Sequence, residues 1–571
     1  MKQLITSRQF TTWQIIRAYW QSDQRYLAFV LFAVIIGMTI VLVAFDVVFN
    51  YWYNYFYNAL QAYDKKAAVR LLIIFFALAA FYIVFAVYRF YLSQMFGLRW
   101  RKWLTNQFIN RWLKNRGYYY LEQFDKRVDN PDQRIQEDAG ALVNFSLDLA
   151  IGIVGAVTTF FAFIYILWQL SGVLTIPIGS LGHLNIPGYL VWVSLIYALL
   201  GTLITFKIGH PLISLNFEQQ RREASFRYVA MDLRTHAEHV ALYRGEAHQK
   251  HILKNSFRRV LDNFYLIIMR QKMLLWFTAG YNQAAVILPL AVALPNYFDK
   301  VFLLGGLMQS LQAFGRVQDS LSYLVNSYNQ IANWKAISNR LTSFLNHLDE
   351  IEHKAAAQNH LVTTRHDENS IITQDINIET PRNEKLLVKV DTTFEHGQNY
   401  LITGRSGIGK STFIRALAGI WPYASGNIIL PRDQQMMFVP QKPYMPLGSL
   451  ADAILFPHKH DAHWQDEIKQ ALEETNLSNL IPRLNETAAW SEQLSPGEQQ
   501  RIAFARILLH KPDWVFLDES TSMLDLANEA SLYQLVKTKL PQCSIISIGH
   551  RPSINAFHHH VVDLEQFSAQ H

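Results

Sequence analysis

Eight consecutive residues in the last third of the chain, Gly404-Arg405-Ser406-Gly407-Ile408-Gly409-Lys410-Ser411, have the types and spacing to wrap a chain of phosphates. Glycines let successive backbone N–H groups turn toward one set of oxygens. Lys410 brings a positive charge to the outer phosphates, and the Ser411 hydroxyl suits a divalent cation. Such a string works only between an apolar strand and a helix. Residues 399–403 (NYLIT) supply the strand, and Thr412 opens a helix-prone run to Leu417. The start of that helix adds a dipole that favours negative charge. A second apolar strand, Asp513 to Glu519, ends in two acids about a hundred residues later. Asp518 is expected to help Ser411 hold Mg²⁺, and Glu519 to polarise an attacking water. The chemistry these residues predict is binding and hydrolysis of a nucleoside triphosphate with Mg²⁺.

These groups need a scaffold, and Leu401 to His550 reads as strands alternating with helices, an α/β pattern. The domain is expected to span 371–571, after a polar, His/Lys/Glu-rich linker at 337–370. Residues 1–336 are of another kind. Half of the 571 residues are apolar and only 17% are charged, a composition that leans toward the membrane and excludes general disorder. Tyr26–Phe49, Val69–Leu92, Ala141–Leu170 and Gly188–Phe206 are each about the length that spans a bilayer. Phe264–Phe298 and Val301–Val325 follow as two less apolar spans. The net charge of +7 is distributed by topology: residues 93–140 carry nine Lys/Arg and 207–263 carry ten, whereas 170–188 carry none. That alternation predicts six spans with both termini in the cytoplasm and argues against a nucleic-acid partner. Residues 8–22 mix Trp, Ile and Tyr with Arg as an interfacial helix does, so an uncleaved first span is expected behind an amphipathic elbow. The single cysteine, Cys543, excludes a disulfide framework.

Between the two nucleotide motifs lies Leu494-Ser495-Pro496-Gly497-Glu498-Gln499-Gln500-Arg501. It resembles the ABC-transporter signature, which ordinarily reads LSGGQ. Other elements of that family follow in order: Gln441 in Val439–Tyr444 resembles the Q-loop, Ser522 to Asp525 the D-loop, and His550 the switch histidine. The resemblance implies catalytic roles for Glu519, His550 and Gln441, with Gln441 also near Mg²⁺. It further implies ATP contacts from residues 404–412 and from Ser495, Gly497, Glu498 and Asp525. Pro496 and Glu498 depart from the usual signature; proline suits a helix's first turn. The family's adenine-stacking aromatic is missing, since the matching region reads Glu379-Thr380-Pro381-Arg382. The strings Leu417–Pro422, Pro440–Met445 and Gly448–Leu450 are similar to the peroxisomal fatty-acyl ABC transporters. Asn54–Leu60, Arg99–Thr105 and Asp129–Arg134 resemble the bacterial SbmA/BacA-like group, in particular its YddA-type members with a fused ATPase.

The resemblance implies a type IV ABC transporter fold: a six-span helical domain followed by a P-loop NTPase domain. In that family the signature of one subunit completes the ATP site of another. With one P-loop and one signature per chain, a homodimer of half-transporters in a bacterial inner membrane is expected, moving a cobalamin- or peptide-like substrate. Lipid or fatty-acyl export, and ATP-gated regulation without pumping, stay open as alternatives. Residues 237–246 resemble a cytoplasmic motif expected to transmit force. Polar side chains inside spans are costly unless they face a cavity or one another. Asp148, Arg316 and Asp319 are therefore expected along the substrate path, whereas Arg270 and Lys272 suit snorkelling positions.

Overall fold

The computed structural model describes residues 10–125, 127, 130–177, 183–459, 461–549 and 551–569. The chain divides into two compact units: Met1–Tyr118 with Lys126–Leu348, and Tyr119–Asp125 with Asp349–His571.

The first unit is helical, among the described residues, apart from one antiparallel pair, β1 (Val173–Pro177) and β2 (His183–Pro187). Helix α1 (Thr12–Trp20) opens with a capping box in which the Thr11 side chain and Gln14 satisfy each other's backbone N–H groups. Its apolar face buries Tyr19, whose ring stacks on Trp100 at 5.3 Å. The helix lies within residues 8–22, where the sequence leads one to expect an amphipathic helix. Helices α2 (Arg25–Gln61), α3 (Lys65–Leu113), α4 (Ala139–Ser171), α5 (Tyr189–Gly209), α6 (Pro211–Thr235), the short α7 (Ala237–Leu242) and α8 (Glu246–Phe298) follow. Among the described residues, five helical runs, Arg25–Gln61, Lys65–Phe124, Pro131–Ser171, Tyr189–Thr235 and Glu246–Phe298, are long and apolar enough to cross a membrane. Helices α3 and α8 have 49 and 53 residues, far more than the roughly 20 that a bilayer needs. Each is thus long enough for a span and a polar extension beyond it. Phe76, Phe161, Leu203 and Trp276 remain exposed, an apolar surface suited to lipid.

Helix α9 (Leu304–Asn326) takes the place of the sixth expected span but is less apolar, because one of its faces carries Gln309, Gln312 and Arg316. Its other side packs Phe314 and Val317 among Phe163, Leu167 and Tyr189. Helix α10 (Tyr328–Gln358) then runs straight through 337, where the sequence predicts a linker. The linker expectation fails here for a physical reason: Ile337, Leu341, Phe344, Leu348 and Ile351 recur at helical spacing and are buried. The remaining residues to 370 include a strand, so the expected boundaries at 336 and 370 both move.

Among the described residues, the second unit has two main sheets and a short antiparallel pair, Gly448–Ser449 with Thr487–Ala488. In the first, β3 (His360–His366), β7 (Ala424–Pro431), β4 (Ser370–Glu379) and β5 (Lys385–Glu395) lie in the order β3-β7-β4-β5. The second is wholly parallel, with β11 (His560–Asp563), β6 (Tyr400–Thr403), β10 (Ser544–Ile548), β9 (Trp514–Asp518) and β8 (Met436–Val439) in that order. The strands β9 and β10 are buried on both faces, which explains their continuous apolar sequences. Helix α11 (Lys410–Leu417) leaves the end of β6, and α12 (Pro496–His510) and α13 (Leu526–Lys539) flank the sheet. The segment Tyr119–Asp125 contributes one more core contact: Phe124 sets its ring edge-on to Trp421 and Tyr423 at 5.4 and 5.3 Å.

Candidate nucleotide site

The parallel sheet brings the two nucleotide motifs together. Strands β6 and β9 both flank β10, so the loop after β6 and the acids ending β9 open at one sheet edge. The phosphate loop needs backbone angles closed to most side chains: Gly404 has φ +136° and Gly409 φ +113°. A Cβ on Gly409 would also crowd Leu386, at 3.3 Å. Lys410 donates from Nζ to the carbonyls of Gly404 and Arg405 at 2.7 and 3.1 Å, which holds it across the loop. Burial lowers its ammonium pKa, opposed by the charges of Glu519, Asp518 and Glu565. Its ammonium therefore gains from an incoming anion.

Ser411 donates from Oγ to Asp518 Oδ1 at 2.8 Å. Burial pushes the Asp518 carboxyl above the usual range, with the Ser411 hydrogen bond pulling it back. Hydroxyl and carboxylate oxygens at this spacing suit a hard cation such as Mg²⁺, which keeps several waters and phosphate oxygens as ligands. Gln441 donates from Nε2 to Glu519 Oε2 at 2.9 Å, so the Q-loop residue and the proposed base meet directly. Glu519 sits at φ +49°, a left-handed conformation rare outside glycine, with its N–H donating to Ile548 O at 3.1 Å. The backbone thus holds this carboxylate at the end of β9 despite local strain. His550 lies outside the described residues.

The signature forms the start of α12 as its spelling predicts. Ser495 is the N-cap, Pro496 takes the first turn, and Glu498 completes a capping box. Ser495 donates from N and from Oγ to Glu498 Oε2 at 2.9 and 2.8 Å. Although burial opposes it, hydrogen bonding from Ser495 lowers the Glu498 pKa overall, so it is a carboxylate at neutral pH. Asp525 caps α13, accepting from Asn528 N at 2.8 Å. The loop 380–384 contains no aromatic, in keeping with the sequence.

Three positioning residues escaped the sequence reading. The buried Gln500 donates from Nε2 to Gln441 O at 3.2 Å and accepts from Met523 N at 3.0 Å, fastening Q-loop to D-loop. Arg551 donates to the carbonyls of Ser522 and Leu524 at 2.8 and 2.7 Å. Arg506, buried beneath the Q-loop, donates to Tyr444 O and Ala453 O, and desolvation lowers its pKa to about 10. In sequence Gln500 and Arg506 were only an amide and a guanidinium within a helix, and Arg551 a guanidinium in the loop after a strand. Removing the Gln500 amide takes away the partner of the part-buried Met523 N–H and of the Gln441 carbonyl, bonds worth roughly 0.5–1.5 kcal/mol each. Gln500→Ala is therefore expected to slow steady-state ATP hydrolysis by about tenfold, each factor of ten being about 1.4 kcal/mol, with ATP still bound. Phosphate release and a nucleotide-binding titration on the same preparation check this.

The expected path residues of the first unit do not form one group. Arg316 pairs with Asp46 at 2.8 Å, and Asp319 lies one turn further along α9. Asp148 is exposed and lines a separate cavity of about 240 Å³ with Arg89, Ser93 and Gln94.

Residues 15–298 match the family described as ABC transporter transmembrane region 2, and 387–522 match the family described as ABC transporter. An ABC transporter ATP-binding protein of Haemophilus influenzae is 35% identical over 556 residues, covering 96% of this chain and 92% of its own. The chain belongs to the ABC transporters. The inner membrane ABC transporter ATP-binding protein YddA of Escherichia coli is 31% identical, with 95% and 94% covered. The human lysosomal cobalamin transporter ABCD4 is 26% identical, with 81% and 80% covered. Among solved structures, a bacterial Atm1-family ABC exporter with ATP bound superposes with a TM-score of 0.73 at 18% identity, covering 93% of this chain and 92% of that one. The expected type IV fold, with fused membrane and ATPase domains, is the fold of this ABC transporter, and its ATPase serves transport.

Proposed function

We propose that this ABC transporter works as a homodimer in a bacterial inner membrane, taking up an amide-rich substrate of the cobalamin or peptide kind. One observation carries the substrate class. A cavity of about 310 Å³ in the first unit is lined by Asn216 and Gln220 of α6 and by Asn329 and Asn333 of α10. Both pairs are four residues apart, so each presents two carboxamides from one helix face. Phe145, Ile213, Phe217, Ala332, Ala336 and Ile337 supply apolar wall between them, and Arg340, also in the lining, is neutralised by Asp138. Carboxamides both donate and accept without charge, which matches peptide groups and the amide arms of a corrin. The name of the relative ABCD4 supports the same class.

The dimer reading rests on one P-loop and one signature per chain. It also explains the tip of the 237–246 motif, where Leu242 and Tyr243 are 74% and 87% exposed. An apolar tip of this kind gains by docking on another subunit and passing its motion into the helices.

The test is uptake of labelled cobalamin and of a labelled proline-rich peptide by cells lacking their own importers. Cells would carry the intact chain, its Glu519→Gln form, or Asn216→Leu with Asn333→Leu. Uptake by the intact chain alone, at least about fivefold reduced in the double variant, is the expected result; a fivefold change corresponds to about 1 kcal/mol, the size of one net hydrogen bond. Uptake unchanged in the double variant removes the cavity from the path. No uptake of either compound, with folded protein in the membrane, moves the assignment to acyl or lipid export.

A further inference from the structure

Helices α2 and α9 are joined by an unbroken line of polar contacts. Asp46 accepts from Arg316 at 2.8 Å. One turn on, Asn50 donates from Nδ2 to Gln309 O at 3.1 Å and to Gln312 Oε1 at 2.9 Å. Asn54 donates to Gln309 Oε1 at 2.5 Å, and Asn58 to Asn54 Oδ1 at 2.7 Å. At the far end, Asn58 Oδ1 and Gln61 Oε1 accept the first N–H groups of α9, from Gly305 and Leu304, at 2.8 and 2.9 Å. Residues 46, 50, 54 and 58 recur every four positions on an otherwise apolar helix. One stripe of α2 is therefore amide and acid over four turns.

Asn50 and Gln309 are fully buried. In a bilayer such amides must find partners, and their mutual bonds hold the two helices together. The choice of amides has a second consequence. When two apolar faces part and water enters, the exposed area costs free energy in proportion to its size. When two amides part, water replaces each lost bond, so the net change is small. The closed line is also imperfect, since Asn50 Oδ1 and Gln309 Nε2 are buried without a protein partner. A permanent weld would satisfy both groups or use none.

We propose that the polar seam between α2 and α9 is a gate that opens to water and recloses in each transport cycle. Asn50, Asn54, Asn58 and Gln309 are its exchangeable bonds. Asp46 and Arg316 fix its register at one end, while Gln61 caps α9 at the other.

The test clamps the seam without altering its middle. In the full chain, Cys543→Ser removes the only cysteine, and Gln61→Cys with Leu304→Cys places one thiol on each helix where their groups now meet. A short bifunctional thiosulfonate bridges them in lipid nanodiscs. ATP hydrolysis is expected to fall at least tenfold on bridging and to return on reduction, while nucleotide binding and the single-cysteine controls stay unchanged. Hydrolysis that continues at the unbridged rate overturns the proposal, because the helices then never part. A second variant, Asn54→Leu with Gln309→Leu, replaces exchangeable bonds by apolar contact. It is expected to keep its melting temperature and lose at least fivefold in turnover. Unchanged turnover in that folded variant also overturns the gate and leaves the amides a purely structural role; should it fail to fold, the bridging result decides.

Discussion

Glu519→Gln is expected to reduce steady-state ATP hydrolysis by roughly 10²–10⁴-fold, the range that a general acid–base group contributes, and to leave ATP bound. The substitution removes a charge and a proton acceptor but almost no volume. The new amide oxygen can still accept from Gln441 Nε2, now 2.9 Å from the carboxylate. Phosphate-binding groups are untouched, since Lys410 is held by carbonyls of its own loop and Ser411 by Asp518. The backbone strain at φ +49° is the same for either side chain, so folding is not the variable. Phosphate release and a titration with fluorescent ATP, made on the same purified protein, check both halves of the expectation. Hydrolysis at the unsubstituted rate would remove Glu519 from catalysis and pass the role to another base. Loss of ATP binding together with hydrolysis would show instead that this carboxylate holds the nucleotide.

Much of that site was legible because it depends on local chemistry. The glycines of 404–409, Lys410, and the paired acids at the end of an apolar strand each mean something within their own few residues, and the parallel sheet then sets them side by side. Pro496 and Glu498 looked like departures from a signature, yet they form the first turn and capping box of α12. Gln500 and Arg551 were not legible. Their roles arise from carbonyls and N–H groups about 20 to 60 residues away, and an amide on an amphipathic helix looks the same whether it meets a loop or water. The membrane unit shows the same division. Long apolar runs marked the helices, whereas α9 was blurred by the very residues that bind α2, and the supposed linker concealed a buried helical stripe. Asp46 and Arg316 were each visible as charges out of place in an apolar run, but their 270-residue separation hid the pair.

Gly305→Ala is expected to destabilise the membrane unit by several kcal/mol, because at this point α2 and α9 touch backbone to backbone. A Cβ on Gly305 would lie 2.0 Å from the carbonyl oxygen of Asn54 and 2.6 Å from Asn58 Oδ1. Side chains can yield to an added methyl, but a carbonyl in mid-helix moves only with its helix. The helices would have to separate by more than about 1 Å, and overpacking of this kind costs typically 1–3 kcal/mol. The separation also stretches the bonds from Gly305 N to Asn58 and from Asn54 to Gln309, each interhelical bond in a membrane contributing about 0.6 kcal/mol. Gly315 on the same helix supplies the control. A Cβ there meets nothing within 4 Å, and alanine is favoured over glycine inside a helix by up to about 1 kcal/mol. Thermal unfolding of the two full-length variants in one detergent should therefore move in opposite directions, down for Gly305→Ala and level or up for Gly315→Ala. Equal melting temperatures would mean that α2 and α9 do not approach so closely, and the amide seam would then lose the backbone contact that fixes its register.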